Sequence, residues 1–136
     1  MKLQMSITLE NLRQFARTWN NLDSSLVDIL IHPNVRYYSQ WTEVEVFGKD
    51  KFLSYLEEKF CHIKKTMQTE LITLSAELAI HPGINNRLCV ILRQVSSEGV
   101  TLVMLLITCS EGKINRIDAC YIPQYHELIM TGEFPK

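Results

Sequence analysis

The sequence lacks the residue spacings that mark metal and redox sites. No Cys-x-x-Cys pair occurs, and the histidines form no His-x-His or His-x-x-x-His pair. A zinc site needs about three or four converging ligands, so we expect no metal and no cofactor. The cysteines lie within apolar stretches, which is typical of small buried side chains in a reducing compartment, and we expect a cytoplasmic protein. They are Cys61, Cys89, Cys109 and Cys120.

Long apolar runs and an excess of one charge are also missing. No window reaches about 18 apolar residues, and the N-terminal stretch MKLQMSITLENLRQF has no continuous apolar segment, so neither membrane insertion nor export is expected. The 14 Lys and Arg are balanced by 15 Asp and Glu, unlike the basic footprint of a nucleic-acid binder. With 136 residues, of which 46% are hydrophobic, residues 1–136 are expected to form one domain.

Hydrophobic periodicity predicts helices in the first half of the chain. Apolar residues recur at helical spacing from Leu9 to Leu22, and a second short helix is expected to end at His32, before a proline. The segment VRYYSQW (35–41) predicts a strand, and TEVEVFG (42–48) a loop or short strand. The longest helix is expected to open at Gly48, because an apolar stripe with three- and four-residue spacing follows.

The second half of the chain predicts a strand meander. Four apolar segments, each ended by turn residues, lie at 71–81, 87–95, 100–109 and 114–122. A meander with helices packed on it is an α+β arrangement, in which the helices cover one face of the sheet. The third segment, VTLVMLLITC, is apolar on both faces, so we expect another copy of the chain to cover the outer face as a homodimer.

The order of elements and three motifs resemble the nuclear transport factor 2-like superfamily. The motifs are HPNVRYYSQW (32–41), VFGKDKFLSYL (46–56) and SEGKINRIDACYI (110–122). This cone-shaped, cystatin-like fold is shared with SnoaL-like polyketide cyclases and ketosteroid isomerase. The resemblance covers Leu9 to about Tyr121 and implies a strongly curved, mostly antiparallel sheet wrapped around one long and two shorter N-terminal helices. It implies no particular reaction, since the fold hosts enzymes and binding modules alike.

The resemblance also implies a pocket between the long helix and the sheet. Strand alternation puts Tyr37, Ser39 and Trp41 on one face of VRYYSQW, opposite to Tyr38. Polar-tipped aromatics in an apolar pocket orient a small apolar or aromatic ligand. The residues expected to face into this pocket are Trp19, Tyr37, Ser39, Trp41, Tyr55, Met104 and Tyr121.

Arg93 is a further candidate, and its face depends on the hairpin at SSEG (96–99). An even-length turn there would set Arg93 opposite Leu102 and on the pocket face, while a slip of one residue would turn it outward. An arginine in an apolar pocket needs an anionic partner, and a ligand carboxylate could supply it.

The catalytic groups of ketosteroid isomerase have no equivalents in this sequence. Under the resemblance, its base falls at about Ser39, its oxyanion aspartate at about Met104 and the tyrosine of its first helix near Trp19. None of these residues carries the required group, so we predict no catalytic residue. The histidines are expected to be structural or surface residues; they are His32, His62, His81 and His126.

Three functions stay open at this level. The first is a non-catalytic module that binds a small molecule, and the second is an isomerase, dehydratase or cyclase that uses Tyr37, Ser39 and either Arg93 or Glu77 in unfamiliar roles. The third is a protein-interaction domain whose cavity is filled by its own side chains. Cavity volume separates the third function from the others. A carboxylate or histidine with a displaced pKa in the pocket would favour the enzyme.

Overall fold

The computed structural model describes residues 2–120, 122 and 128–136, with side chains described from residue 8 onward. The elements follow the predicted order, although the first helix begins earlier than the pattern from Leu9 indicates. A short strand near the C-terminus was not predicted. The elements are α1 (Lys2–Asn21), a 3₁₀ helix (Ser24–Leu30), β1 (Ile31–Ser39), β2 (Glu45–Phe47), α2 (Lys49–Thr69), β3 (Thr73–His81), a 3₁₀ turn (Pro82–Ile84), β4 (Arg87–Ser96), β5 (Gly99–Ser110), β6 (Lys113–Cys120) and β7 (Ile129–Met130).

The sheet is curved and mixed, which confirms the predicted α+β class and cystatin-like architecture. Among the described residues it has seven strands in the order β2-β1-β6-β5-β4-β3-β7. Each described pair of neighbours is antiparallel except β1 and β6, which run parallel. The parallel pair brings Tyr37 beside Ile117 and Ser39 beside Ala119. None of the described helices is both long and apolar enough to cross a membrane.

Gly48 joins β2 to α2, and its backbone conformation explains why a glycine is needed there. Its φ is +97°, a region that L side chains rarely adopt. In this conformation its N–H donates to the carbonyl of Val35 at 2.8 Å, and its carbonyl accepts from the N–H of Phe52 at 3.0 Å. The start of α2 is thereby fixed against β1, and the helix opens at Gly48 as the sequence predicted.

The main core lies between the two α-helices and the inner face of the sheet. Each helix contributes a stripe with three- and four-residue spacing, and the central strands contribute alternate residues. The helix residues are Leu12, Phe15, Ala16, Trp19, Phe52, Leu56 and Phe60, and the strand residues include Tyr37, Leu78, Leu92, Leu105, Ile107, Ile117 and Ala119.

The predicted faces of β5 are wrong, and a bulge in β6 is the reason. At the β5–β6 turn Cys109 pairs with Ile114, but the next pair is Thr108 with Arg116, so Asn115 is an extra residue. A one-residue shift exchanges the two faces of a strand. Leu105 and Ile107 therefore face the helices, whereas Leu102, Met104 and Leu106 lie on the outer face. Met104 is buried there in a cluster with Ala79, Cys89, Ile91 and Leu128.

The outer face of the sheet is partly covered by the chain's own C-terminal residues. Leu128 is buried in the cluster around Met104, and Ile122 and Met130 pack against it. β7 extends this cover by pairing with β3 at Ala79 and Ile80. The apolar outer face of β5 is therefore covered in part by residues of the same chain. The homodimer through this face stays a prediction.

Candidate functional site

Tyr37 and Tyr55 form a contact between two side-chain hydroxyls on the inner face. Their hydroxyl oxygens are 3.4 Å apart and their ring centroids 5.0 Å apart, with the ring planes inclined by 38°. The ring of Tyr37 also lies against Phe52, with centroids 5.7 Å apart. β1 supplies Tyr37 and the first turns of α2 supply the other two rings, because Gly48 starts the helix next to Val35.

The environment of Tyr37 keeps its hydroxyl protonated. Burial raises the pKa of Tyr37 far above its ordinary value, and the hydrogen bond with Tyr55 raises it further, whereas a hydrogen bond with Ser39 acts in the opposite direction. A phenol with a raised pKa donates and accepts hydrogen bonds but does not act as a base near neutral pH. The pair can therefore orient a polar group of a ligand.

This raised pKa predicts how stability depends on pH. Both folded and unfolded Tyr37 are protonated below the ordinary value of 10.0. Above it the unfolded chain loses the proton first, so the free energy of unfolding should fall by up to about 1.4 kcal/mol per pH unit from this residue. Tyr37→Phe should remove that part of the fall, as measured by urea unfolding between pH 9 and 11.

The exposed neighbour Tyr38 supplies the control for this measurement. Tyr38 is 37% exposed on the opposite face of β1, so Tyr38→Phe removes the same hydroxyl group from an exposed position. Identical curves for wild type and Tyr37→Phe would contradict the assignment of the raised pKa to Tyr37.

Trp19 lies near the end of α1 and packs edge-on against Phe60, with ring centroids 4.9 Å apart and an angle of 81°. Its indole N–H is buried and finds no hydrogen-bond acceptor among the described residues. An unpaired buried donor costs about 1–3 kcal/mol. A hydrogen-bond acceptor placed next to this N–H would therefore stabilise the folded chain.

The predicted pocket residues on the inner side are tightly packed by the protein itself. Trp19, Tyr37 and Ser39 are only 4%, 6% and 5% exposed, so protein atoms occupy most of the space next to them. Tyr55 is the exception, since it is half-buried and its ring reaches an open groove. Any ligand that contacts the hydroxyl pair without rearranging the core must approach from this groove.

The groove lies between β2 and the first turns of α2 and has a volume of about 570 Å³. Val46, Phe47 and Tyr55 provide apolar surface, and this volume lies within the range of small-molecule sites, about 300–1,000 Å³. Val46 is directly opposite Tyr37 in the β1–β2 pair. Tyr37 therefore neighbours two residues that line the groove, Val46 and Tyr55.

The charged side chains along the groove are mostly acidic. Glu45, Asp50 and Glu58 line it together with a single cation, Lys51. Cations also lie over the two aromatic rings at its rim. The guanidinium of Arg36 is 5.3 Å from the ring centroid of Phe47, and the ammonium of Lys59 is 5.8 Å from that of Tyr55.

Three residues predicted to face the pocket lie elsewhere. Trp41 is 38% exposed, because β1 ends at Ser39 and the chain turns before the alternation reaches position 41. Met104 is buried on the outer face as a result of the β6 bulge. Arg93 pairs with Leu102 as predicted, but this pairing places it on the outer face, where it is exposed. Tyr121 lies outside the described residues.

Acid–base groups are scarce inside the described part of the chain. No carboxylate is buried there, and the buried imidazole, His81, lies on the outer face in register with Arg87. Glu77, considered above as an enzyme residue, accepts a hydrogen bond from the N–H of Gly132 at 2.8 Å on that same face. The described residues also contain no cluster of three His, Cys, Asp or Glu side chains able to hold a metal ion.

The groove was missed by sequence reasoning, although a signal for it exists. Glu45 and Asp50 flank an apolar pair, Val46 and Phe47, just before the helix opens. By itself this pattern predicts only a loop or a short strand. The acids of β2 and α2 line one groove because β2 is the edge strand of the sheet and lies next to α2.

Solved structures share this fold. A protein from Kribbella flavida DSM 17836, provisionally named a ketosteroid isomerase, matches with a TM-score of 0.60 and 15% identity over 88% of this chain and 83% of its own. An NTF2-like protein of unknown function from Mesorhizobium loti matches with a TM-score of 0.61 and 13% identity over 84% and 89%. An uncharacterised cystatin-fold protein from Novosphingobium aromaticivorans gives 0.61 and 12% over 83% and 97%.

No protein-family model matches the sequence, and no curated protein matches it. At these identities the likeness to solved structures establishes the fold and carries no activity with it.

Proposed function

We propose that this chain, whose fold is that of the nuclear transport factor 2-like proteins, is a non-catalytic binding module for a small apolar or aromatic molecule. The ligand would lie in the groove between β2 and α2, where it contacts Tyr55, the half-buried member of the Tyr37–Tyr55 hydroxyl pair. One observation carries the proposal: two tyrosine hydroxyls meet behind an open groove of about 570 Å³, and the interior next to them holds no described carboxylate or imidazole.

The inner face supports binding rather than ketosteroid isomerase-like catalysis. Ser39 still stands where the base would be expected, and it is buried beside Ala119. The β6 bulge moves Met104 off the inner face, and the residue that takes its place opposite Ala119 is Leu105. Neither leucine nor methionine can supply the protonated carboxyl group that stabilises an oxyanion.

The charges of the groove indicate a cationic ligand instead of the carboxylate that Arg93 suggested. Arg93 is exposed on the opposite face of the sheet and cannot reach the groove. Glu45, Asp50 and Glu58 line the groove with one cation, Lys51, while Arg36 and Lys59 lie at the rim over the rings of Phe47 and Tyr55. An aromatic amine would place its ring against Val46 and Tyr55 and its ammonium group among these carboxylates.

A matched pair of probes tests this proposal. Benzylamine and benzoate, equal in size and opposite in charge, would be titrated into the ¹⁵N-labelled chain and followed by amide chemical shifts. Benzylamine should give saturable shifts at Val46, Ser54 and Tyr55, and benzoate should give none there. Equal binding of the two probes, or benzylamine shifts confined to the outer face, would contradict the proposal.

Charge-neutral variants define the contribution of the carboxylates. The double change Asp50→Asn and Glu58→Gln should weaken benzylamine binding by about fivefold to tenfold, because two exposed ion pairs each contribute up to about 1 kcal/mol. Glu98→Gln removes an exposed carboxylate in the β4–β5 turn, outside the groove, and should leave the affinity unchanged.

A further inference from the structure

β2 leaves one edge of its backbone unpaired among the described residues. It is the terminal strand on its side of the sheet and pairs only with β1. Gly48 donates to the carbonyl of Val35, and the carbonyl of Val44 accepts from the N–H of Ser39, so the hydrogen-bonding groups of Val46 also point toward β1. The N–H and C=O groups of the alternate residues, Glu45 and Phe47, therefore point away from the sheet.

The groove lies along this free edge. Neighbouring strands are about 4.8 Å apart, so a chain added to β2 would run over the first turns of α2, next to Ser54 and Tyr55. Its side chains would alternate between the groove and the outer face. On the outer face they would meet Phe47, which is 53% exposed. One extended segment could thus satisfy the free backbone groups and cover apolar surface together.

The charge of the groove selects the side chains of such a segment. Glu45, Asp50 and Glu58 are exposed, and none of them forms an ion pair with a cation of the described residues. Lys51 is the single cation that lines the groove with them. A lysine or arginine that points from the added strand into the groove would be attracted by the carboxylates of Asp50 and Glu58 on α2.

We propose that the free edge of β2 receives an extended, basic segment of a partner protein, which pairs with Glu45 and Phe47 as an additional strand. The inference goes beyond the proposed small-molecule role and rests on it in one respect, since the same groove would hold the basic side chain of the segment. A second copy of this chain fits less well, because a symmetric edge-to-edge contact between two copies places the same acidic groove against itself.

Capped seven-residue peptides test the proposal in titrations monitored by amide chemical shifts. A peptide of alternating valine and lysine should bind at the β2 edge. The same peptide with N-methyl groups on alternate backbone nitrogens cannot form the strand hydrogen bonds, and a version with glutamate in place of lysine has the wrong charge. Both should bind at least tenfold more weakly. Equal affinity of the N-methylated peptide would overturn strand addition, and equal affinity of the glutamate peptide would overturn the charge argument.

Two substitutions at one position separate the backbone contribution from that of the side chain. Phe47→Ala removes the ring but keeps the outward N–H, whereas Phe47→Pro removes both and leaves the β1 hydrogen bonds of Val44, Val46 and Gly48 in place. Peptide affinity should fall further in Phe47→Pro than in Phe47→Ala, and equal affinities would overturn the proposal. If Phe47→Pro does not fold, the N-methylated peptide on the wild-type chain decides the same point.

Benzylamine distinguishes the failure of this inference from that of the proposed function. If benzylamine binds the groove and the valine–lysine peptide does not, the strand proposal is overturned and the binding module stands. If neither probe binds, both proposals fall. Competition between the two probes would support a single groove that holds the basic side chain of the peptide.

Discussion

Leu105→Ala is expected to lower the free energy of unfolding by about 2–5 kcal/mol, the range for deleting a large aliphatic side chain from a packed core. Leu105 is 2% exposed and belongs to the cluster between the helices and the sheet. It pairs with Ala119 on β6 and with Val90 on β4, both of which are also buried. The change leaves a cavity that neighbouring strands cannot fill. Urea unfolding at neutral pH measures the loss.

The adjacent residue gives a control of identical chemistry. Leu106 lies on the outer face, where it is only partly buried and pairs with the polar Asp118. Leu106→Ala should therefore cost clearly less than Leu105→Ala. If the two changes cost the same, or if Leu106 proves the more sensitive position, the faces of β5 and the bulge at Asn115 are assigned incorrectly.

Asn20→Ala is expected to cost about 2–4 kcal/mol, because it leaves up to three polar backbone groups without a protein partner at about 1 kcal/mol or more each. The side-chain amide of Asn20 donates to the carbonyl of Ala76 at 2.9 Å and accepts from the N–H of Ala76 at 2.8 Å. It also donates to the carbonyl of Pro135 at 2.6 Å. One amide thus joins α1, β3 and the C-terminal residues.

The geometry explains why this amide has such a role. Ala76 pairs with Leu92 of β4 on one side, and β7 covers the other edge of β3 only at Ala79 and Ile80. Farther along that edge, at Ala76, the side-chain amide of Asn20 makes the two hydrogen bonds that a neighbouring strand would otherwise make. Chemical denaturation of Asn20→Ala measures the cost, and circular dichroism verifies that the variant folds.

Asn21→Ala is the matched control for this prediction. The amide of Asn21 is exposed, and among the described residues it donates to the carbonyl of Arg17 within the same helix. Its removal should change stability by less than about 0.5 kcal/mol. A similar loss in both variants would show that the end of α1 is sensitive to helix propensity rather than to the contact with Ala76.

Local signals predicted the elements well where their causes are local. The helical spacing of Phe52, Leu56 and Phe60 predicts the buried face of α2, and the positive φ of Gly48 explains why the helix opens there. In β1 the alternation of Val35, Tyr37 and Ser39 predicts their burial correctly, because pairing with β6 stays in register from Arg36 to Ser39. Alternation is reliable only while pairing stays in register.

The candidate site was predicted only in part, for the same reason. Trp19, Tyr37, Ser39 and Tyr55 lie on elements whose inner faces follow directly from periodicity, and all four are on the inner side. Their ligand-binding role stays a prediction. Three other residues were also expected on the inner side but lie elsewhere: Trp41, Met104 and Arg93.

By itself, the sequence determined the order of the elements up to β6, the fold class, the start of α2 and the inner face of β1, because periodicity and turn chemistry act over a few residues. Only the tertiary structure decided which face of β5 meets the helices, since one extra residue in β6 reverses it. Tertiary structure alone also assigned the outer face to the C-terminal residues and brought the acids of β2 and α2 to one groove beside Tyr55. These features depend on pairing between distant segments, which no local pattern encodes.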